Sequence, residues 1–263
     1  MRRVAALLFA SVACTDVGTD PNAVVALRFE GSAYPSIVAG DSLRDSLGAL
    51  QPLVAIPLNY LNEPVESAPV VFSSPDTVLR LFDDGVVYAT RRKQADSVTV
   101  VYATVGSLQS QPDSLFTVPR ADSLARVVAE DTANAGTGGA TTPDELAFTV
   151  FGDTVAGQPK RAVQAWLVSF QLRYRGALLS PSDSSVAYSW TGTNRRILSF
   201  VDTTDASGRV GRKVFIRAPR TPEDTIFVIA TMRQRKVGSA PLSAETRLVI
   251  RPGTSTTHRA PTP

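Results

Sequence analysis

Histidine and cysteine are nearly missing from this 263-residue chain, which holds one of each, His258 and Cys14. Nucleophilic catalysis by a Ser–His or Cys–His pair needs an imidazole held inside the fold. His258 instead stands near the C-terminus, in a tail rich in Pro and Thr. The same scarcity removes a histidine-based metal site. Lysine is scarce too, at four against 23 arginines, a bias that follows GC-rich codons more than recognition. Long apolar runs are missing as well. The uncharged stretch Val4–Ala13 has ten residues, where a membrane-spanning helix needs about 20.

A hydrophobic fraction of 43% is that of a globular protein, and the length leaves room for two domains of ordinary size. Net charge is only +3, but it is unevenly spread. Residues 15–143 hold 8 Lys+Arg against 15 Asp+Glu, net −7, and residues 144–263 hold 17 against 9, net +8. Such asymmetry lets the halves attract each other or turns the second half toward an anionic surface. Two solvated faces of opposite bias are the plainer reading, because exposed pairs contribute little in salt.

Met1-Arg2-Arg3 followed by Val4–Ala13 has the form of a signal peptide, a basic start before an apolar run. The run ends at Ser11-Val12-Ala13-Cys14, which resembles the lipobox of bacterial lipoproteins. That resemblance implies a lipid-modified Cys14, residues 14–22 as a tether, and anchoring in the cell envelope, with Thr15 favouring the outer membrane. Ser11 and Ala13 also suit ordinary signal-peptide cleavage, which would leave a secreted or periplasmic soluble protein.

Beyond residue 20 the apolar pattern has period two. Trp166, Val168, Phe170, Leu172 and Tyr174 share one face, opposite Leu167, Ser169, Gln171 and Arg173, the pattern of a half-buried strand. Val98, Val100 and Tyr102 are expected to face inward likewise. So are Val214 and Ile216, then Ile226, Val228 and Ala230, then Leu248 and Ile250. Short strands between turn signals predict sandwiches.

An internal repeat supports this. Val38-Ala39-Gly40 recurs as Val155-Ala156-Gly157, and Gly-marked hairpins follow at Gly85 and Gly208. The runs Asp96–Thr104 and Asp224–Thr231 are alike, and Val105-Gly106-Ser107 recurs as Val237-Gly238-Ser239. One unit occurs twice. Asp131 to Thr142, rich in Gly and Thr, reads as a linker or long loop between the copies, and Ser123 to Glu130 as a first strand of the second.

With these cues the chain resembles the bacterial Ig-like families of adhesins and envelope proteins. The first copy resembles the group-2 type, through Val38–Ser42, Val71–Asp76, Asp84–Ala89 and Val98–Thr104. The second is similar to the group-1, invasin-related type, through Ala165–Phe170 and Asp202–Gly208. The resemblance implies an all-β chain of two tandem immunoglobulin-like β-sandwiches. Residues 1–13 would be signal peptide, 23–119 domain 1, 120–143 linker and first strand, 144–251 domain 2, and 252–263 a disordered tail.

Few residues invite chemistry. Asp41-Ser42 and Asp45-Ser46 are expected to cap turns, and no pair of carboxylates stands out for glycoside hydrolysis. The chain is therefore read as no enzyme, with no cofactor. Asp202 and Asp205 could offer oxygens to calcium, but a hairpin turn accounts for them. Trp166 and Trp190 could be sugar platforms. Core packing is the favoured reading, with Val186, Tyr188 and Trp190 facing inward. The loop cations Arg195, Arg196, Arg233, Arg235 and Lys236 are candidate contacts for an anionic glycan, with plain solvation as the alternative. They lack interleaved aromatics, so no nucleic acid is expected. The expected role is noncovalent: adhesion, spacing or surface binding by a lipid-anchored envelope protein. A carbohydrate- or surface-polymer-binding module and a structural subunit of an envelope assembly are the alternatives.

Overall fold

The computed structural model describes residues 20, 22–94, 97–135, 140–142, 145–153, 159–180, 185–190, 200–217 and 224–252. Cys14, Val155–Gly157, Arg195, Arg196 and His258 lie outside them, as does the side chain of Trp190.

Every regular element among the described residues is a strand. The first sandwich contains β1 (Ala26–Gly31), β2 (Ser36–Val38), β3 (Val54–Leu58), β4 (Val71–Ser73) and β5 (Leu79–Leu81). It continues with β6 (Val87–Ala89), β7 (Val98–Val105), β8 (Leu108–Gln109) and β9 (Asp113–Val118). One layer runs β2-β9-β7-β4, with β8 on β7; the pairs β1-β3 and β5-β6 complete the unit. Ile37, Leu43, Leu53, Val87, Val101 and Leu115 fill its core.

The second sandwich begins with β10 (Ala121–Arg126), β11 (Glu130–Ala135), β12 (Ala140–Thr141), β13 (Leu146–Gly152), β14 (Arg161–Ala162) and β15 (Leu167–Tyr174). It ends with β16 (Ala177–Leu179), β17 (Ala187–Trp190), β18 (Val201–Thr203), β19 (Arg209–Ile216), β20 (Thr225–Met232) and β21 (Leu242–Pro252). One sheet is ordered β10-β13-β19-β12, with β14 on β13 and β17 on β19. The other is ordered β11-β21-β20-β15-β16, with β18 on β15. Trp166, Phe148 and Phe170 are fully buried between them, each such side chain contributing about 1.5–3 kcal/mol.

The two units share one plan. In each, the first strand pairs antiparallel in one layer, as β1 with β3 and β10 with β13. The chain then changes layer and runs parallel to the closing strand, as β2 with β9 and β11 with β21. The entry to that parallel strand is made by the same bond twice. The Phe116 N–H donates to the Pro35 carbonyl and the Arg247 N–H to the Ala129 carbonyl, both at 3.0 Å. Gly85 and Gly208 are equivalent as well. Their φ angles are +80° and +73°, and their carbonyls accept from the Leu53 and Val150 N–H groups. A Cβ on either would lie 2.5 Å from the Leu53 carbonyl oxygen or 2.6 Å from that of Val150.

Several expectations need correction. The inward face of β7 carries Thr99, Val101, Ala103 and Val105, so Val98, Val100 and Tyr102 face outward. Both faces of this strand are apolar enough to fit either register, and the buried Thr99 hydroxyl is satisfied by donating to the Leu115 carbonyl. In β17 the buried residues are Ala187 and Ser189. Tyr188 sits on the other face, where it stacks on Phe215 with ring centres 5.0 Å apart, whereas Val186, just before the strand, packs against the core as expected. The stretch read as a linker does not separate the sandwiches. Residues 130–135 and 140–141 are strands of the second unit, and only Pro119 and Arg120 lie between β9 and β10. Strand β11 escapes pattern reading because its polar sequence is held by backbone pairing to β21, with Ala133 buried.

Candidate functional site at the junction of the sandwiches

The short connection brings β2, an edge strand of the first sandwich, against loops of the second. An open strand edge presents unpaired carbonyls and amides, and here side chains of the second unit cover it. Arg235, in the loop after β20, is 2% exposed. Its Nη1 donates to the Ser36 carbonyl at 2.6 Å and its Nη2 to the Arg44 carbonyl. The guanidinium lies 3.8 Å from the centre of the Tyr34 ring and 5.3 Å from that of Trp166. Tyr34 and Trp166 meet edge to face at 5.7 Å.

The polar ends of this cluster are answered except the buried Arg235 Nε, which has no hydrogen-bond partner among the described residues. The Leu167 N–H donates to the Tyr34 hydroxyl at 2.8 Å, and the Trp166 Nε1–H donates to the Arg233 carbonyl at 3.0 Å. The Ser36 hydroxyl donates to the Ala165 carbonyl at 2.9 Å. Ala165 and Arg235 both hold positive φ, +53° and +55°, a conformation non-glycine residues adopt at a cost of about 1–3 kcal/mol. Burial pushes the Tyr34 phenol up to about 12 and the Arg235 guanidinium down to about 10, so both keep their protons at neutral pH. Val38 and Val118 of the first unit pack into the second unit's core, so apolar contact continues across the junction.

Three grooves border this contact. One of about 230 Å³ is lined by Arg92, Pro119, Arg161 and Gln164 among others. A second, about 350 Å³, lies on the outer face of β15 and β20 against Tyr34 and Ser46 of the first sandwich. The third, about 460 Å³, is lined by Asp41, Arg44, Arg120, Lys236 and Val237. Asp41 there bonds Arg44 at 3.1 Å and Arg120 at 2.9 Å. Burial works to raise its carboxyl, but the Ser42 N–H and the two guanidinium groups outweigh it and hold it below the usual carboxylate range.

The structure therefore divides the basic loop cluster. Arg235 is no surface contact: its aromatic and carbonyl partners take it out of solvent. Arg233 and Lys236 are exposed and face different grooves. Asp205 accepts at one oxygen from the Ser207 N–H, the Ser207 hydroxyl and the Arg209 N–H, the pattern of a turn cap. Asp202 is bonded to Arg212. Among the described residues no three His, Cys, Asp or Glu side chains gather as a metal site. Trp166 is core, as its alternation with Leu167 and Ser169 requires.

Sequence reasoning missed Tyr34 and Arg212. Tyr34 sits beside Pro35 between two strands, with no pattern to mark it. Arg212 points inward from β19 at 8% exposure, its guanidinium 5.2 Å from the Phe170 ring. Burial lowers its pKa, and Glu145 works the other way.

No family model matches the chain, and no curated protein matches it. Among solved structures it is similar to the adhesin InvE of Yersinia pseudotuberculosis at 14% identity. That match covers 85% of this chain and 58% of the adhesin, with a TM-score of 0.34. Surface layer protein SbsC, domains 1–6, matches at 12% identity over 88% of this chain and 28% of its own, TM-score 0.30. Mouse cadherin-23 EC22–24 matches at 11% over 88% and 65%, TM-score 0.27. The chain thus spans little more than half of the adhesin's length. The all-β, Ig-like sandwich assignment stands on the sheet topology.

Proposed function

We propose that this chain is an exported, non-catalytic cell-envelope protein whose two sandwiches act as one unit, spacing or presenting a surface for noncovalent binding. The observation that carries this reading is the Arg235–Tyr34–Trp166 cluster. It joins the sandwiches through buried side chains and leaves grooves along the seam. A cation consumed in fixing two modules suits a protein that must hold a shape under contact with a partner. In this reading a lipid on Cys14 tethers the unit to the outer membrane; several acyl chains anchor far more firmly than one. Ordinary cleavage after Ala13 would give the soluble form instead.

Fractionation tests the anchor. The intact chain should sediment with membranes, and a Cys14→Ala form should move to the soluble fraction; equal distribution of the two defeats it. A screen of the full-length Cys14→Ala protein against envelope proteins and glycans tests the binding role. Saturable capture supports it, and turnover of a screened compound overturns it.

A further inference from the structure

The groove of about 350 Å³ beside the junction lies within the size range of small-ligand sites, about 300–1,000 Å³. Its floor is the outer face of β15 and β20, with Ser169, Gln171 and Thr231. Val201 and Pro241 flank it, and Ser46 of the first sandwich closes one side. The backbone of that floor is already used: Ser169 is paired with Thr231 on one side and with Val201 on the other. A ligand there finds side chains only: hydroxyls, an amide and, among the described residues, one cation, beside the apolar Leu167, Val201 and Pro241.

That cation is Arg233. Among the described residues it is the one charged residue lining the groove, and it makes no ion pair with any of them. Its carbonyl is fixed by the Trp166 indole, so the guanidinium springs from an anchored point beside the buried clamp. A planar fork of donors matches a carboxylate in two parallel hydrogen bonds. Ser46, Ser169, Gln171 and Thr231 offer donors and acceptors suited to ring hydroxyls.

We infer that this groove binds an acidic saccharide, with Arg233 on the sugar carboxylate and Gln171 and Ser169 on neighbouring hydroxyls. The inference rests on the surface-binding reading above and gives that reading a site and a ligand class. An extended peptide suits the groove less well, because the floor has no free main-chain groups to pair with it.

The test is calorimetric titration of the full-length Cys14→Ala protein with oligogalacturonate at two salt concentrations. Neutral malto-oligosaccharide and poly-glutamate serve as comparison probes. Saturable binding of oligogalacturonate alone, weakened at higher salt, is expected. Arg233→Gln should weaken it roughly tenfold or more, the usual effect of losing a hydrogen bond to a charged group. Arg233→Lys should retain part of it, and Arg161→Gln, in another groove, should leave it unchanged. Absence of binding, equal binding of the neutral sugar, preference for poly-glutamate, or indifference to Arg233→Gln each overturns the assignment. Capture of another envelope ligand by the Arg233→Gln protein would then keep the surface-binding reading while removing this groove from it.

Discussion

The guanidinium of Arg235 lies 3.8 Å from the centre of the Tyr34 ring, one residue from each sandwich in a contact neither could bury alone. Taking a cation from water is costly, and its lowered pKa reflects that cost. The carbonyls of Ser36 and Arg44 and the two ring faces offset it. Arg235→Met should therefore destabilise the protein by about 2–3 kcal/mol, the loss of charge-assisted bonds and a desolvated cation–π contact less the relief of desolvation. Urea unfolding should show a lower midpoint and a shallower transition as the sandwiches lose their coupling. Lys236→Met, on the exposed part of the same loop, should stay within about 0.5 kcal/mol of the parent.

Tyr34 and Arg235 titrate in opposite senses. The folded Tyr34 phenol is at about 12 against 10.0 for the free group, so the stability it contributes is full below pH 10 and lost as pH rises toward 12. The folded Arg235 is at about 10, well below the free guanidinium, so the unfolded chain binds more protons above pH 10 and this group's contribution rises there. Tyr34→Phe removes the falling limb. At pH 7 the variant should be less stable by about 1–2 kcal/mol, because the Leu167 N–H loses its acceptor. That deficit should narrow between pH 10 and 12 in urea titrations. A deficit that widens across that window would contradict the buried phenol.

Gly85 and Gly208 allow a direct test of the repeat. Each has positive φ, and a Cβ would meet a carbonyl oxygen at 2.5 or 2.6 Å. Alanine at either position should cost about 2–4 kcal/mol, combining left-handed strain with the displaced backbone. Hydrogen exchange should report the damage in the sandwich that carries the change, near Leu53 for Gly85→Ala and near Val150 for Gly208→Ala. Similar losses at both sites mark one structural role filled twice.

Strand β15 was legible because its two faces differ in polarity: Val168, Phe170 and Leu172 against Ser169 and Gln171. Strand β7 was not, since Val98, Val100 and Tyr102 form as apolar a row as Thr99, Val101 and Ala103. Tyr188 misleads by size. It lies outward on Phe215, while Ala187 and Ser189 fill the narrow interior. Glycine hairpins and the doubled plan could be read because turn chemistry is local. Arg235 could not, because its burial depends on Ser36, 199 positions away. Among the loop cations, only tertiary contact separates the buried clamp from the exposed Arg233 and Lys236.

Arg212 sets a final prediction. It points into the second sandwich from β19 and bonds Asp202 on β18, with Nη2 donating to the Val201 carbonyl at 3.2 Å. It thereby links the two layers across the edge of the core. Removing the carboxylate leaves a mostly buried cation with only Glu145 as counter-charge, whereas replacing the cation leaves only a partly exposed carboxylate. Asp202→Ala should therefore be more destabilising than Arg212→Met, by about 1–2 kcal/mol in chemical denaturation. The double change should fall near Arg212→Met alone, since the two groups act on each other. If Asp202 served calcium instead, millimolar calcium would raise the parent's melting temperature and leave Asp202→Ala unmoved. The bond to Arg212 predicts no such rise, because the carboxylate already has its cation.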